Sequence, residues 1–88
     1  MLRSAEEFGE QELALIYIAK KLKESLALEN VLTTAKVDYM IETDTYVGGI
    51  LFRSARVGAF FYVTPEIEAS TRALLIENGY KPYEALAT

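Results

Sequence analysis

Asp38, Glu42 and Asp44 form the densest carboxylate set in the chain. Spacings of four and two residues would put all three on one side of a strand and its turn, where their oxygens could hold Mg²⁺ or Ca²⁺. The same residues also make a charged strand end that keeps a sheet edge soluble. Their spacing matches no established metal loop, so no metal site is assigned. Gly48-Gly49, between Tyr46 and Ile50, would let a ligand or a backbone approach closely, or form a bulge, or make room for the large side chains beside it. The pair is not a phosphate loop, because the Lys and Ser/Thr that should follow are missing. Arg53 and Arg56 flank a turn and could grip an anion as a fork, or sit solvated at a hairpin tip. Tyr46, Gly48, Gly49 and Arg53 are the candidate ligand-binding residues.

The chain has no histidine and no cysteine. The commonest general base, the thiolate nucleophile and the usual zinc ligands are therefore missing. No catalytic residue is assigned, no cofactor is expected, and the chain is expected not to be an enzyme. The remaining enzymatic alternative is Mg-dependent chemistry at Asp38, Glu42 and Asp44. Tyr46, Tyr62, Tyr80 and Tyr83 read as packing or interface residues, each with an apolar body and a polar tip.

A chain of 88 residues fits one domain, here 1–88, with 1–9 as a loose lead-in and 80–88 as an extended tail. At this size only about 60–65% of the unfolded surface is buried, so a single core is marginal. Without disulfides, apolar packing and self-association must hold it. The net charge of −4 and the scatter of nine basic residues argue against nucleic acid. The longest apolar stretch, Leu13–Ala19, is far too short to span a bilayer, and residues 1–9 do not read as a signal peptide. A cytoplasmic protein that meets neither nucleic acid nor membrane is the expectation.

Leu15, Ile18, Leu22 and Leu26 recur at spacings of three and four, which predicts a helix over 10–28. Its first half is apolar almost all round, which suggests contact with more than one neighbour. Residues 30–36 form a connector that could also extend either neighbour. Val37–Thr43, Val47–Arg53 and Val57–Val63 read as strands, with turns at 44–46 and 54–56. Thr64 suits an N-cap, Pro65 the first helical position, and Gly79 the left-handed position after a helix carrying Ile67, Thr71, Leu74 and Leu75 on its core face. Tyr80–Tyr83 could pair as a short edge strand. The expected fold is α+β: a three-stranded antiparallel meander with two helices on one face, in the order α-β-β-β-α.

The turns set a register in which Met40 faces Ile50 and Ile50 faces Phe60. One side then carries Tyr39, Ile41, Leu51, Ala59, Phe61 and Val63, the other Met40, Ile50, Phe52, Phe60 and Tyr62. Gly49 and Ala59 leave shallow spots on the first, so the helices are placed there. The second is left apolar and open, and apolar areas of that size mark interfaces. Met40, Ile50, Phe52, Phe60 and Tyr62 are the candidate interface residues, unless residues 1–9 or 80–88 fold across them.

Two known patterns share parts of this string. The double-stranded RNA-binding domain also runs α-β-β-β-α, but its second helix opens with phosphate-gripping lysines, whereas Thr64-Pro-Glu-Ile-Glu-Ala-Ser is acidic. An RNA role is rejected on that ground. Residues 61–79, FYVTPEIEASTRALLIENG, resemble the end of small bacterial signal-transducing domains of PII-like shape, with a strand, then Pro and acidic residues, then an Ala-Arg-x-Leu-Leu helix. The resemblance covers about a quarter of the chain and implies a ferredoxin-like, PII- or ACT-like module. It carries over no binding residue. The functional expectation is a small regulatory or interaction module that forms a homodimer through its second sheet face, or joins another protein there. A small-anion-binding module is the alternative.

Overall fold

The computed structural model describes residues 1–9, 11–48 and 54–84. In chain order they form helix α1 (Ala5–Phe8), strand β1 (Ala14–Ala19), helix α2 (Leu22–Thr34), strand β2 (Met40–Gly48), strand β3 (Ser54–Val63), a 3-10 turn at Pro65–Ile67 and helix α3 (Glu68–Glu77). The class is α+β with a three-stranded antiparallel sheet. The sheet is not a meander: its order is β1-β3-β2, with β3 antiparallel to both neighbours. β1 and β2 therefore run the same way, and α2 carries the chain between them.

The helix expected over 10–28 is replaced by β1 and α2. The run Ala14-Leu-Ile-Tyr-Ile-Ala19 is apolar on every side and rich in branched and aromatic residues, which suits a strand flanked on both faces. Leu22 and Leu26 fit the helical spacing yet stay exposed; the buried positions of α2 are Ser25, Leu28 and Leu32. Residues 30–34 extend that helix instead of connecting it to a strand.

The turn expected at 44–46 lies within β2, and the one at 54–56 opens β3. Thr43, Thr45, Tyr46 and Val47 favour extended backbone, and one aspartate among them does not reverse the chain. Two long strands thus replace three short ones. Met40 pairs with Tyr62, Glu42 with Phe60 and Asp44 with Gly58, in place of the Met40–Ile50 and Ile50–Phe60 register.

Ile16, Ala19, Leu28, Leu32, Tyr39, Phe61, Val63 and Leu75 form the buried core, with Ile41, Ala59, Ile67 and Leu74 packed against it. Alternation along β3 puts Phe61 and Val63 on this side, so α2 and α3 share one face, as the sequence suggested. A bulge between Leu15 and Tyr17 lets both Ile16 and Tyr17 turn toward the helices. The Tyr39 and Phe61 rings stack in the core with centroids 5.9 Å apart. Arg72 fastens the layers: its guanidinium donates to Glu68 at 2.9 Å, to the Leu15 carbonyl at 3.2 Å and to the Tyr83 carbonyl.

Both terminal segments are held at the sheet margins. Residues 1–9 are not a loose lead-in, for Leu2 bridges Tyr39 in parallel and Arg3 pairs with Asp38 at 3.1 Å. Beyond α3, the Tyr83 N–H donates to the Ile16 carbonyl on the outer edge of β1 at 2.7 Å, and Tyr80 packs edge-on against Tyr17.

Thr64 and Pro65 open the last helical segment as expected. Both long helices end alike. After α2, Lys36 N–H donates to Thr33 and Val37 N–H to Leu32; after α3, Gly79 N–H donates to Ile76 and Tyr80 N–H to Leu75. Each motif needs a left-handed residue at its turning point, supplied by Gly79 at φ 84° and by Lys36 at φ 60°. Only glycine takes that conformation without strain. Lys36→Gly should therefore stabilise the fold by roughly 0.5–1 kcal/mol, and Gly79→Ala should destabilise it by about 1 kcal/mol. Urea denaturation of the two variants checks the opposite signs.

Candidate functional site

The pairing of β3 fixes what shares its second face. Opposite Tyr62 stand Leu15 and Met40, and opposite Phe60 stand Ile18 and Glu42. Residues paired across antiparallel strands project on the same side. Leu15, Ile18, Met40, Phe60 and Tyr62 therefore make one apolar surface three strands wide. All five are partly buried by one another and by the sheet, yet none belongs to the core, where both long helices bury their apolar residues.

The sequence singled out Met40, Phe60 and Tyr62 for this face; Ile50 and Phe52 lie outside the described residues. Leu15 and Ile18 were missed, because their spacing fits a helix. The available signal was the all-round apolar character of Leu13–Ala19.

The surface is electrostatically lopsided. Glu42 and Asp44 are exposed along its β2 margin. Across the sheet, Lys20 follows Ala19 at the end of β1, and Lys20 and Lys81 line a groove with Glu24, Tyr17, Ile18 and Tyr83, so two ammonium groups stand against one carboxylate there. Ala19, Ala59 and Thr43 occupy one rung of the sheet, and Asp44 and Gly58 the next. Lys20 is the next residue after Ala19, where β1 ends, and continuing the rungs by one would bring it level with Asp44 on the opposite margin. The Tyr62 hydroxyl is held above its ordinary value of 10.0, first by burial and then by the Glu42 and Asp44 carboxylates. Tyr17 and Tyr39, on the helix side, are also raised, chiefly by burial, with Glu24 and Glu29 beside them.

Asp38, Glu42 and Asp44 do not converge. Six residues of extended chain separate the first from the last by about 20 Å, and Asp38 is taken up by Arg3 and the terminal ammonium group. Among the described residues no group of three or more carboxylates could hold a metal ion. Of the ligand-binding candidates, Tyr46 lies opposite Arg56 and Gly48 opposite Ser54 at the far end of the β2–β3 hairpin. Gly49 and Arg53 lie outside the described residues. No described helix is long and apolar enough to cross a membrane.

Comparison with known proteins yields no matching family model, no matching curated protein and no matching solved structure. Function must therefore be argued from this geometry.

The raised tyrosines set the alkaline limit of the fold. Each binds its proton more tightly when folded, so its stabilising share is intact below the unfolded value near 10. As pH climbs past that value, the unfolded chain ionises first and stability falls. The urea midpoint should drop between about pH 9.5 and 11, and Glu42→Gln should lower the Tyr62 value seen by ultraviolet titration. An unchanged midpoint across that window would contradict the assignment.

Proposed function

We propose that the chain is a small, non-enzymatic regulatory or interaction module that works as a homodimer, its two sheets packed face to face. The observation that carries this reading is the surface of Leu15, Ile18, Met40, Phe60 and Tyr62, whose two margins carry opposite charge. All five are already at intermediate exposure, so a partner gains only the part of each that still meets water, at about 25 cal/mol per Å² of apolar surface. Five such gains on each of two protomers add up to the association.

The charge pattern selects a second copy as the occupant. A two-fold axis along β3, midway between two sheets, turns β1 of one protomer over β2 of its partner and keeps the rungs level. Lys20 then meets the partner subunit's Asp44, and the reverse contact follows by symmetry. A two-fold across the strands would instead stack like margins on one another.

The proposal also takes up the resemblance of residues 61–79 to PII-like signalling domains. The order β1-α2-β2-β3-α3, the sheet order β1-β3-β2 and the Tyr83 bond on the outer edge of β1 support reading the fold as ferredoxin-like with its fourth strand reduced to a tail. In such a module the signal would pass through the state of the paired sheets.

Sedimentation equilibrium at micromolar concentration tests the proposal through charge reversal. Lys20→Glu should weaken the dimer by about tenfold, since it sets like charges together twice. Asp44→Lys should do the same, and the double variant should recover most of the affinity. Neither change touches the core, so loss of folding does not confuse the outcome. A native chain that sediments as a monomer would defeat the reading, and so would a double variant no tighter than either single one.

A further inference from the structure

The helix side of the sheet is not wholly covered. Beyond the first turn of α2 lies an open cavity of about 300 Å³, lined by Ala19, Lys21, Ser25, Ile41, Val57 and Ala59 among others. Three observations meet there. Its rim is unusually greasy: Val57 is 66% exposed and Leu22, also lining it, 76%. The start of α2 is uncapped, because Lys21 occupies the N-cap position and provides no side-chain acceptor. The amides of Leu22 and Lys23 thus lack an intrahelical acceptor and sit at the positive end of the helix dipole.

The third observation is Ser25. It is buried to 7% exposure, and among the described residues its hydroxyl has no hydrogen-bond partner. Polar side chains buried this deeply are ordinarily paired. No side-chain nitrogen or oxygen among the described residues is both fully buried and unpaired. The small remaining exposure of Ser25 therefore reaches its Oγ, and Ser25 lines the cavity.

We propose that this cavity binds a small carboxylate with a short aliphatic tail. The carboxylate takes the free amides of the first α2 turn, the Ser25 hydroxyl and the Lys21 ammonium. The tail lies on Ile41, Val57 and Ala59 and removes Val57 and Leu22 from water. A monoanion suits the site better than a phosphate dianion, because Glu29 also lines the cavity and Glu24 stands in the same first turn of α2, its carboxylate accepting from the Lys20 amide at 3.3 Å. Apart from Lys20, which also lines it, the cavity lies on the opposite side of the sheet from the proposed dimer surface, and its test changes only Ser25 and Val57, so either inference can fail without the other.

The test is an amide-resolved NMR titration of the full chain with hexanoate, and with acetate, hexanol and hexylammonium for comparison. Hexanoate should produce saturable shifts at Leu22, Lys23 and Ser25. Acetate lacks the tail and the other two lack the anion, so each should bind at least about tenfold more weakly. Ser25→Ala should weaken hexanoate about fivefold, the worth of one hydrogen bond. Val57→Glu, at an exposed position, should abolish binding while the melting temperature holds. The proposal is overturned by the absence of saturable shifts, by equal binding of hexanol or hexylammonium, or by hexanoate binding that both variants leave unchanged.

Discussion

One strand sets the terms for the whole molecule. β3 lies in the middle of the sheet and is apolar on both sides, with Phe61 and Val63 facing the helices and Phe60 and Tyr62 facing away. A central strand gains most when both sides are dry. A chain of this length supplies two long helices, and both lie on the Phe61 side. The N-terminal segment and the tail are drawn to the strand edges by backbone hydrogen bonds, where they satisfy polar groups, and the ring that the tail packs on, Tyr17, turns toward the helix side. The unsheltered side is thus a consequence of where the polar backbone had to be paired.

The two ends of the sheet differ for a related reason. Near Tyr39 and Val63 the helices, the terminal segments and the Arg72 clamp converge, and the core is tight. Toward Ala19, Ala59 and Thr43 the cover runs out just as α2 begins, leaving the cavity with its exposed Val57 and Leu22. On the helix side of β3 burial decreases from Val63 and Phe61 through Ala59 to Val57, and the uncapped start of α2 opens where cover is thinnest. Stability and binding capacity therefore occupy opposite ends of one layer.

Much of this was legible in the residues. The last helix, its Pro65 opening and its Gly79 ending follow from local rules that need no tertiary context. The two faces of β3 follow from alternation alone, and the helices are assigned to one of them from the shallow spots at Ala59 and at Gly49, the latter outside the described residues. The first half of the chain misled because Leu15, Ile18, Leu22 and Leu26 satisfy a helical period while a strand ends between the second and third. Periodicity over so short a span does not separate a buried strand joined to a helix from one longer helix. The hairpin misled for the opposite reason: turn-forming residue types at 44–46 and 54–56 were absorbed into strands held by long-range pairing, which no local pattern records. The cavity beside Ser25 depends on how far α2 covers the sheet, and nothing in the chain's pattern gives that distance.

The central claim is that a second copy covers Phe60 and Tyr62. Isotope-filtered NMR on an equal mixture of labelled and unlabelled chains observes this contact itself. The account predicts intermolecular cross-peaks from the Phe60 and Tyr62 rings of one protomer to Ile18 and Met40 of its partner. Rings that show only intramolecular neighbours, in a sample whose tumbling matches a single 9.9 kDa chain, would contradict it.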